Sequence, residues 1–193
     1  MISPLEIGAN VVMSASIVLA GRNNVHSWWL GVLGCSMFAV LFYSVRLYAD
    51  VALQAFFIVT CALGWLKWLR GNGGAALPIS TVRLAALGLM LAVGVAATVA
   101  YGMMLRAYTQ AYAPFIDSAV LVFSIVAQLL LMGRRVENWP FWLLVNTISV
   151  PLYASRGLYL TALLYAAYWV NALVSWLFWR RQMAAPPAAG ALR

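Results

Sequence analysis

Charged residues are scarce in this sequence. Of its 193 residues, 8% are charged and 65% are hydrophobic, whereas a soluble domain of this length has roughly 25% charged residues. Such a chain cannot cover a globular surface with polar side chains, so an ordinary water-soluble domain is excluded. The composition indicates an all-α integral membrane protein surrounded by lipid. Its nine tryptophans and nine tyrosines supply the amphipathic rings that membrane interfaces favour.

Histidine and cysteine are nearly absent. His26 is the only histidine, and the two cysteines, Cys35 and Cys61, each lie within an apolar run. A zinc site needs about four nitrogen or sulfur ligands, so we predict no metal site and no cofactor. We also predict no disulfide, because both cysteines should lie at bilayer depth as small packing residues.

Motifs for several other functions are missing too. The sequence has no phosphate-binding loop, and one histidine cannot supply the Ser/His pair or ligand cluster of an intramembrane hydrolase. The only lysine is Lys67, in the third apolar run, so a retinal Schiff base in the last helix is excluded. The basic residues occur singly or in pairs, without the basic face that binds nucleic acid. We therefore predict a protein that is not an enzyme and binds no nucleic acid.

Seven apolar runs are long enough to cross a bilayer, which takes about 20 residues. The residues that precede the first run include no base, as a cleaved signal peptide would require, so we expect this run to stay as a helix. The predicted spans are residues 3–20, 28–46, 50–69, 80–104, 115–133, 138–155 and 157–179. The tail after Arg181 is rich in alanine and proline and is predicted to be disordered.

The basic residues predict the orientation, because cytoplasmic loops are enriched in lysine and arginine. With the N-terminus outside and the C-terminus in the cytoplasm, nine basic residues lie inside and three outside. The inner set is Arg22, Lys67, Arg70, Arg83, Arg134, Arg135, Arg180, Arg181 and Arg193, and the outer set is Arg46, Arg106 and Arg156.

An internal repeat relates the first three runs to the last three. Trp28 matches Trp139 at an offset of 111, and the segments 65–68 and 176–179 share the pattern Trp-x-x-Trp at the same offset. Residues 43–46 match 153–156 at an offset of 110. We predict two parallel three-helix repeats, 1–70 and 111–182, joined by a linker helix within 71–110 and followed by the tail 183–193. SWEET transporters have parallel repeats of this kind and hold their substrate between them.

Polar and aromatic residues form a stripe on the sixth run. Trp139, Trp142, Asn146, Ser149 and Tyr153 are spaced by three and four residues and share one helical face. Two indoles and an amide can hold a flat heteroaromatic ring by stacking and hydrogen bonding. The alternative is that the tryptophans anchor the helix at the interface.

Further polar residues are predicted at bilayer depth in other runs. The candidates are Gln54, Gln128, Tyr165 and Asn171, which could contact a substrate or serve as interhelical contacts of roughly 1 kcal/mol each. The four acidic residues all lie near helix ends, and proton-coupled transporters usually place a titratable group at mid-membrane. We therefore predict facilitated diffusion.

These motifs together resemble the PnuC family of vitamin-precursor transporters, over nearly the whole chain. The matching segments include Leu47–Asp50, Leu53–Gln54, Gly64–Trp65, Trp68, Asp117–Ser118, Ser124–Ala127, Glu137–Trp139, Trp142, Asn146, Ile148–Val150 and Gly157–Tyr159. The resemblance implies a SWEET-like fold in the bacterial inner membrane, a homo-oligomer that we expect to be a trimer, and trapping of the substrate by a cytoplasmic kinase. It also implies that Trp65, Trp68, Trp139 and Trp142 lie near the substrate, with the amides of Gln54 and Asn146.

The resemblance predicts nicotinamide riboside as the substrate, with thiamine or riboflavin as the alternative. Nicotinamide riboside carriers often have an acidic residue just before the tyrosine that is Tyr165 here, whereas this chain has Leu164. An alternative of another class is a seven-helix receptor or scaffold without transport.

Overall fold

The computed structural model describes residues 4–44, 48–71, 77–109, 112–157 and 159–184, which form seven α-helices. These are α1 (Pro4–Gly21), α2 (His26–Ser44), α3 (Tyr48–Arg70), α4 (Leu84–Tyr108), α5 (Pro114–Met132), α6 (Asn138–Ser155) and α7 (Tyr159–Ala184). The predicted all-α fold is confirmed. Arg46, Leu47, Leu158, the side chain of Asp50 and most of the predicted tail, residues 185–193, lie outside the described residues.

The ends of the helices lie within three residues of the predicted ends, except at both ends of α4 and at the end of α7. α4 begins at Leu84, four residues later than predicted, because Ser80 pairs with the turn after α5 in an isolated parallel bridge. The Ser80 amide donates to the Arg134 carbonyl at 3.0 Å. α4 continues to Tyr108, four residues beyond its predicted end, and stops at an extended Thr109.

Five of the described helices, α1, α2, α4, α5 and α7, are long and apolar enough to cross a membrane. α3 and α6 have 23 and 18 residues, also enough for a bilayer core, but carry more polar side chains. α4 is the least buried of these five helices, with Leu84 82% and Leu89 66% exposed. These exposed apolar side chains are suited to lipid contact.

Six of the helices close into a ring. Along the chain, α1 packs against α2, α2 against α3, α5 against α6 and α6 against α7. The two halves meet where α1 packs against α7 and α3 against α5. α4 packs against α5 alone among the described helices and lies outside the ring. The ring therefore has an interior lined by both halves of the chain.

The two halves have matching helix bounds. α3 and α7 begin at residues 48 and 159, α1 and α5 end at 21 and 132, and α2 and α6 end at 44 and 155. Each pair is separated by 111 residues, the offset of the tryptophan matches in the sequence.

The turns that follow α1 and α5 also match. Asn23 and Arg134, 111 residues apart, both have a positive φ, at 58° and 48°. In each turn the next amide donates to the carbonyl five residues earlier, at 2.9 Å in the first and 3.0 Å in the second. An arginine rarely adopts this left-handed conformation, so its presence at the equivalent position indicates that the tertiary structure imposes the turn.

Most basic residues of the described chain gather at one end of the bundle, which we term the base-rich end. It comprises the end of α1, α3, α5 and α7 and the segment before α4, with Arg22, Lys67, Arg70, Arg83, Arg134, Arg135, Arg180 and Arg181. At the opposite end the described chain has Arg106 and Arg156, and Arg156 forms an ion pair with Asp117 at 2.8 Å. Asp117 lies in the first turn of α5, in agreement with the prediction that the acidic residues lie near helix ends.

Four tryptophans form the core of the base-rich end: Trp28, Trp68, Trp139 and Trp179. We term these four residues the indole cluster. Each is at most 5% exposed. The rings of Trp28 and Trp68 meet edge to face at 5.3 Å, and those of Trp139 and Trp179 do so at 5.4 Å. Trp68 and Trp179 join the two pairs at 6.2 Å. The cluster therefore connects the two halves of the chain through equivalent residues.

Gly64 allows Trp28 to approach α3, and this contact gives a first prediction. A Cβ at Gly64 would lie 2.4–2.6 Å from three carbon atoms of the Trp28 ring, which is buried and cannot move aside. We expect Gly64→Ala to lower the free energy of unfolding by about 1–3 kcal/mol, measured by thermal unfolding in detergent. Gly88→Ala in α4 is the matched control, because no atom lies within 4 Å of its added Cβ. Equal stability of the two variants would contradict this packing.

Candidate substrate site

The predicted polar and aromatic stripe lies on α6, which packs between α5 and α7. The helix starts where the Asn138 side chain donates to the Arg135 carbonyl at 2.6 Å. Along the stripe, Trp139, Asn146 and Ser149 are 2%, 4% and 0% exposed, and Trp142 and Tyr153 are half-buried. The stripe therefore faces protein rather than lipid.

Asn146 and Ser149 are buried polar groups near the middle of α6. Asn146 lies eight residues, or about 12 Å, from the start of the helix, and its side chain forms no hydrogen bond within the described chain. The Ser149 hydroxyl is also buried without a partner there. Buried polar groups are nearly always hydrogen-bonded, so this pair marks a place where a polar ligand group can bind.

Trp142 places an aromatic side chain one turn from Asn146. It packs against the indole cluster on one side and, on the other, against a second apolar cluster formed by Phe123, Ala127, Leu130, Phe141 and Val145. Its ring is thus held by packing but remains half-buried. A ring fixed in this way can stack on a flat ligand at little cost in side-chain entropy.

Gln128 reaches across the contact between α5 and α3. It is 7% exposed, and its Nε2 donates to the Cys61 Sγ at 3.5 Å. Thiol sulfur is a weak acceptor, so a ligand oxygen could replace it. Cys35 and Cys61 are both buried free thiols.

Three tyrosines lie toward the end opposite the indole cluster. The rings of Tyr153 and Tyr165 are 5.0 Å apart, and those of Tyr165 and Tyr168 are 5.8 Å apart. The Tyr168 hydroxyl is 2.9 Å from the Ser14 hydroxyl, which joins α7 to α1. This tyrosine cluster and the indole cluster bound the stretch of α6 that holds Asn146 and Ser149.

The remaining predicted site residues lie apart from this stretch. Trp68 and Trp139 are both in the indole cluster, whereas Trp65 is 36% exposed. Asn171 donates to the Ile17 carbonyl at 3.4 Å and so contacts α1. Gln54 is half-buried on α3 and has no hydrogen bond within the described chain.

Sequence reasoning did not select Trp179, Trp28 or Arg134 as part of this region. The Trp179 Nε1 donates to the Gly21 carbonyl at 3.0 Å, and the Arg134 guanidinium lies 4.2 Å from the centre of the Trp68 ring. The repeat contained a signal for the tryptophans, because the offset of 111 relates Trp28 to Trp139 and Trp68 to Trp179. No sequence pattern pointed to the contact of Arg134.

The helices are closed around Asn146 and Ser149, which are almost fully buried. Two clefts, of ≈ 490 and ≈ 390 Å³, lie instead at the base-rich end, and neither is lined by a residue of α6. Neither cleft therefore gives a ligand access to the polar pair.

Comparison with known proteins identifies the family. The model of the family described as nicotinamide mononucleotide transporter matches residues 3–181. The nicotinamide riboside transporter PnuC of Escherichia coli (strain K12) is 27% identical over 190 aligned residues, covering 85% of this chain and 80% of that protein. The riboflavin/roseoflavin transporter RibM of Streptomyces davaonensis is 30% identical over 175 aligned residues, covering 89% and 81%.

A solved structure shows the same fold. The crystal structure of the vitamin B3 transporter PnuC matches with a TM-score of 0.73 at 21% identity, covering 91% of this chain and 80% of that chain. The family match spans α1 to α6 and α7 as far as Arg181. The chain therefore belongs to the nicotinamide mononucleotide transporter family of multi-pass membrane proteins.

Proposed function

We propose that this protein transports nicotinamide riboside across the membrane and binds it beside Trp142, Asn146 and Ser149. The observation that carries the proposal is the buried Asn146 side chain beside the Ser149 hydroxyl, which is buried without a hydrogen-bond partner among the described residues, inside the ring of helices. The relatives named as nicotinamide riboside transporters support the choice of substrate.

The chemistry of nicotinamide riboside suits these side chains. Its pyridinium ring is flat and positively charged, so it can stack on the Trp142 indole and gain a cation–π contribution. Its carboxamide can exchange hydrogen bonds with the Asn146 amide and the Ser149 hydroxyl. We assign Gln128 and Gln54 to the ribose hydroxyls. Tyr165 and Tyr153 would then cover the ring from the end opposite the indole cluster.

Riboflavin is the second candidate substrate, because RibM, named as a riboflavin/roseoflavin transporter, is 30% identical. Its isoalloxazine ring is flat but larger and uncharged, so it would stack on the same indole without the cation–π term. Thiamine, another cationic heteroaromatic compound, is a third candidate.

We propose transport by facilitated diffusion. The carboxylates of Asp117 and Glu137 lie at helix ends, in the first turn of α5 and just before α6, where they are poorly placed to carry a proton through mid-membrane. Facilitated diffusion only equalises concentrations. Net uptake then requires a chemical step that removes the substrate, and phosphorylation by a cytoplasmic kinase would give it a charge that prevents its return.

We also propose an orientation and an assembly. The base-rich end would face the cytoplasm of a bacterial inner membrane, with the N-terminus outside and the C-terminus inside. The matched bounds and turns support two parallel three-helix repeats joined by α4, in a SWEET-like arrangement. The exposed apolar face of α4 would contact a second copy in a homo-oligomer, which we expect to be a trimer.

Flux into liposomes tests the function. We expect protein reconstituted without a proton or sodium gradient to equilibrate labelled nicotinamide riboside at a rate that saturates, and to transport riboflavin and thiamine at least tenfold more slowly. Empty liposomes and the double variant Trp142→Ala/Asn146→Ala are the controls. Preference for riboflavin or thiamine would overturn the substrate. Absence of flux for all three by folded protein would favour a receptor or scaffold.

A further inference from the structure

A basic cleft lies on the outside of the ring, at the base-rich end. It has a volume of ≈ 490 Å³ and is bounded by the end of α3, the start of α4 and the end of α5. α3 and α4 each pack against α5 but not against each other, which leaves the cleft open between them. The site proposed for transport is separate, because Asn146 and Ser149 do not line it.

Three cationic side chains converge on the cleft: Lys67 from α3, Arg83 just before α4, and Arg135 after α5. Within the described chain the only ion pair joins Arg156 and Asp117, so none of the three has a carboxylate partner there. Three cations around one cleft repel each other, and an anion in the cleft would relieve that repulsion.

Arg135 is held in place for such an anion. One of its terminal nitrogens donates to the Ser80 hydroxyl and to the Thr81 carbonyl, both at 2.9 Å. The guanidinium has five N–H donors, so the remaining ones are available to a phosphate. Glu137 forms no ion pair with the three cations in the described chain, because its Oε1 accepts the Val82 amide at 2.9 Å and its Oε2 is buried without a partner.

The other wall of the cleft is apolar and continues toward the hydrocarbon region. Met90 on α4 and Leu129 and Leu130 on α5 line it, and Leu129 is 51% exposed. A soluble anion would use only the three cations. A ligand with a phosphate group and an acyl chain would cover both the basic and the apolar lining.

We propose that this cleft binds an anionic phospholipid, with the phosphodiester between Lys67, Arg83 and Arg135 and one acyl chain along Met90 and Leu129. Basic pockets between transmembrane helices on the cytoplasmic side are suited to such head groups. The bound lipid would connect α3 to α4, which do not touch directly.

Native mass spectrometry of the full-length protein tests the proposal. The protein is purified in detergent with equal amounts of phosphatidylglycerol and phosphatidylcholine. We expect wild type to retain phosphatidylglycerol, and Lys67→Gln/Arg83→Gln to retain it at least about tenfold less. The matched control is Arg22→Gln/Arg181→Gln, which removes the same charge from exposed residues of the same end but outside the cleft.

Equal retention by the two double variants would overturn the site. A soluble phosphate is the other possible source of the anion, so a second arm adds millimolar inorganic phosphate to wild type. Full displacement of the lipid by inorganic phosphate would overturn the lipid assignment.

If Lys67→Gln/Arg83→Gln does not fold, the melting temperature of wild type decides, because phosphatidylglycerol but not phosphatidylcholine should raise it. Neither readout depends on transport, so failure here leaves the proposed transport function unaffected.

Discussion

Replacing Asn146 with alanine is expected to weaken binding of nicotinamide riboside by roughly 5- to 150-fold. In the proposed complex the variant leaves a buried polar group of the substrate without a partner, which costs about 1–3 kcal/mol. The fold should tolerate the change, because the Asn146 side chain forms no hydrogen bond within the described chain. Calorimetry or tryptophan quenching on purified protein measures the affinity.

Ser149→Ala sharpens this test, because the two possible roles of the hydroxyl predict different results. The Ser149 oxygen is buried without a partner in the closed structure, so removing it should leave the melting temperature unchanged or raise it. If the hydroxyl binds substrate, affinity should fall while stability does not. Loss of both stability and affinity would indicate that Ser149 has a structural role instead.

Thr147→Ala is the matched control for both variants. Thr147 is adjacent to Asn146 but exposed, on another face of α6, where its hydroxyl donates to the Leu143 carbonyl at 2.8 Å. We expect its affinity for nicotinamide riboside to change less than about twofold. A loss equal to that of Asn146→Ala would contradict the proposal that the inner face of α6 forms the site.

The fold was largely predictable because the bilayer imposes a simple rule on sequence. Apolar runs of about 20 residues gave seven helices, and α6 was predicted with its observed bounds. The start of α4 was not predictable in this way. Ser80 and Val82 are hydrogen-bonded to Arg135 and Glu137, which lie 55 residues further along the chain, and hydropathy contains no information on such contacts.

The candidate site was predictable in part. Helical spacing placed Asn146 and Ser149 on one face, and the structure buries both. Spacing could not show which tryptophans meet each other. The Trp-x-x-Trp pattern made Trp65 and Trp68 equivalent candidates, but a residue and its third neighbour point about 60° apart on a helix. Packing of α2 and α7 then buries Trp68 and leaves Trp65 at the surface.

Replacing Trp68 with alanine is expected to lower the free energy of unfolding by about 3 kcal/mol. Trp68 occupies the centre of the indole cluster, between Trp28 of its own half and Trp179 of the other, and Arg134 stacks over its ring. Its removal therefore leaves a cavity at the contact between the two halves. Thermal unfolding in detergent measures the effect.

Trp65→Ala is the matched control, because it removes the same side chain one turn away on the same helix from a partly exposed position. We expect it to cost less than about 1 kcal/mol. If Trp68→Ala were instead as stable as wild type but had lost nicotinamide riboside binding, Trp68 would be a substrate contact, as the family resemblance implies, rather than a packing residue.

Flux through the Trp68→Ala variant would then show whether the cluster controls access to the site. The indole nitrogens of Trp28, Trp68 and Trp139 are buried without acceptors, and each such donor costs about 1–3 kcal/mol. When the two halves separate, water or substrate can accept hydrogen bonds from these indole N–H groups. The free energy gained in this way offsets part of the packing free energy lost on opening. We therefore expect Trp68→Ala, although less stable, to exchange substrate at least as fast as wild type at a temperature where both are folded. Slower exchange by the folded variant would mean that the intact indole cluster is required for substrate binding rather than for closing the contact between the two halves.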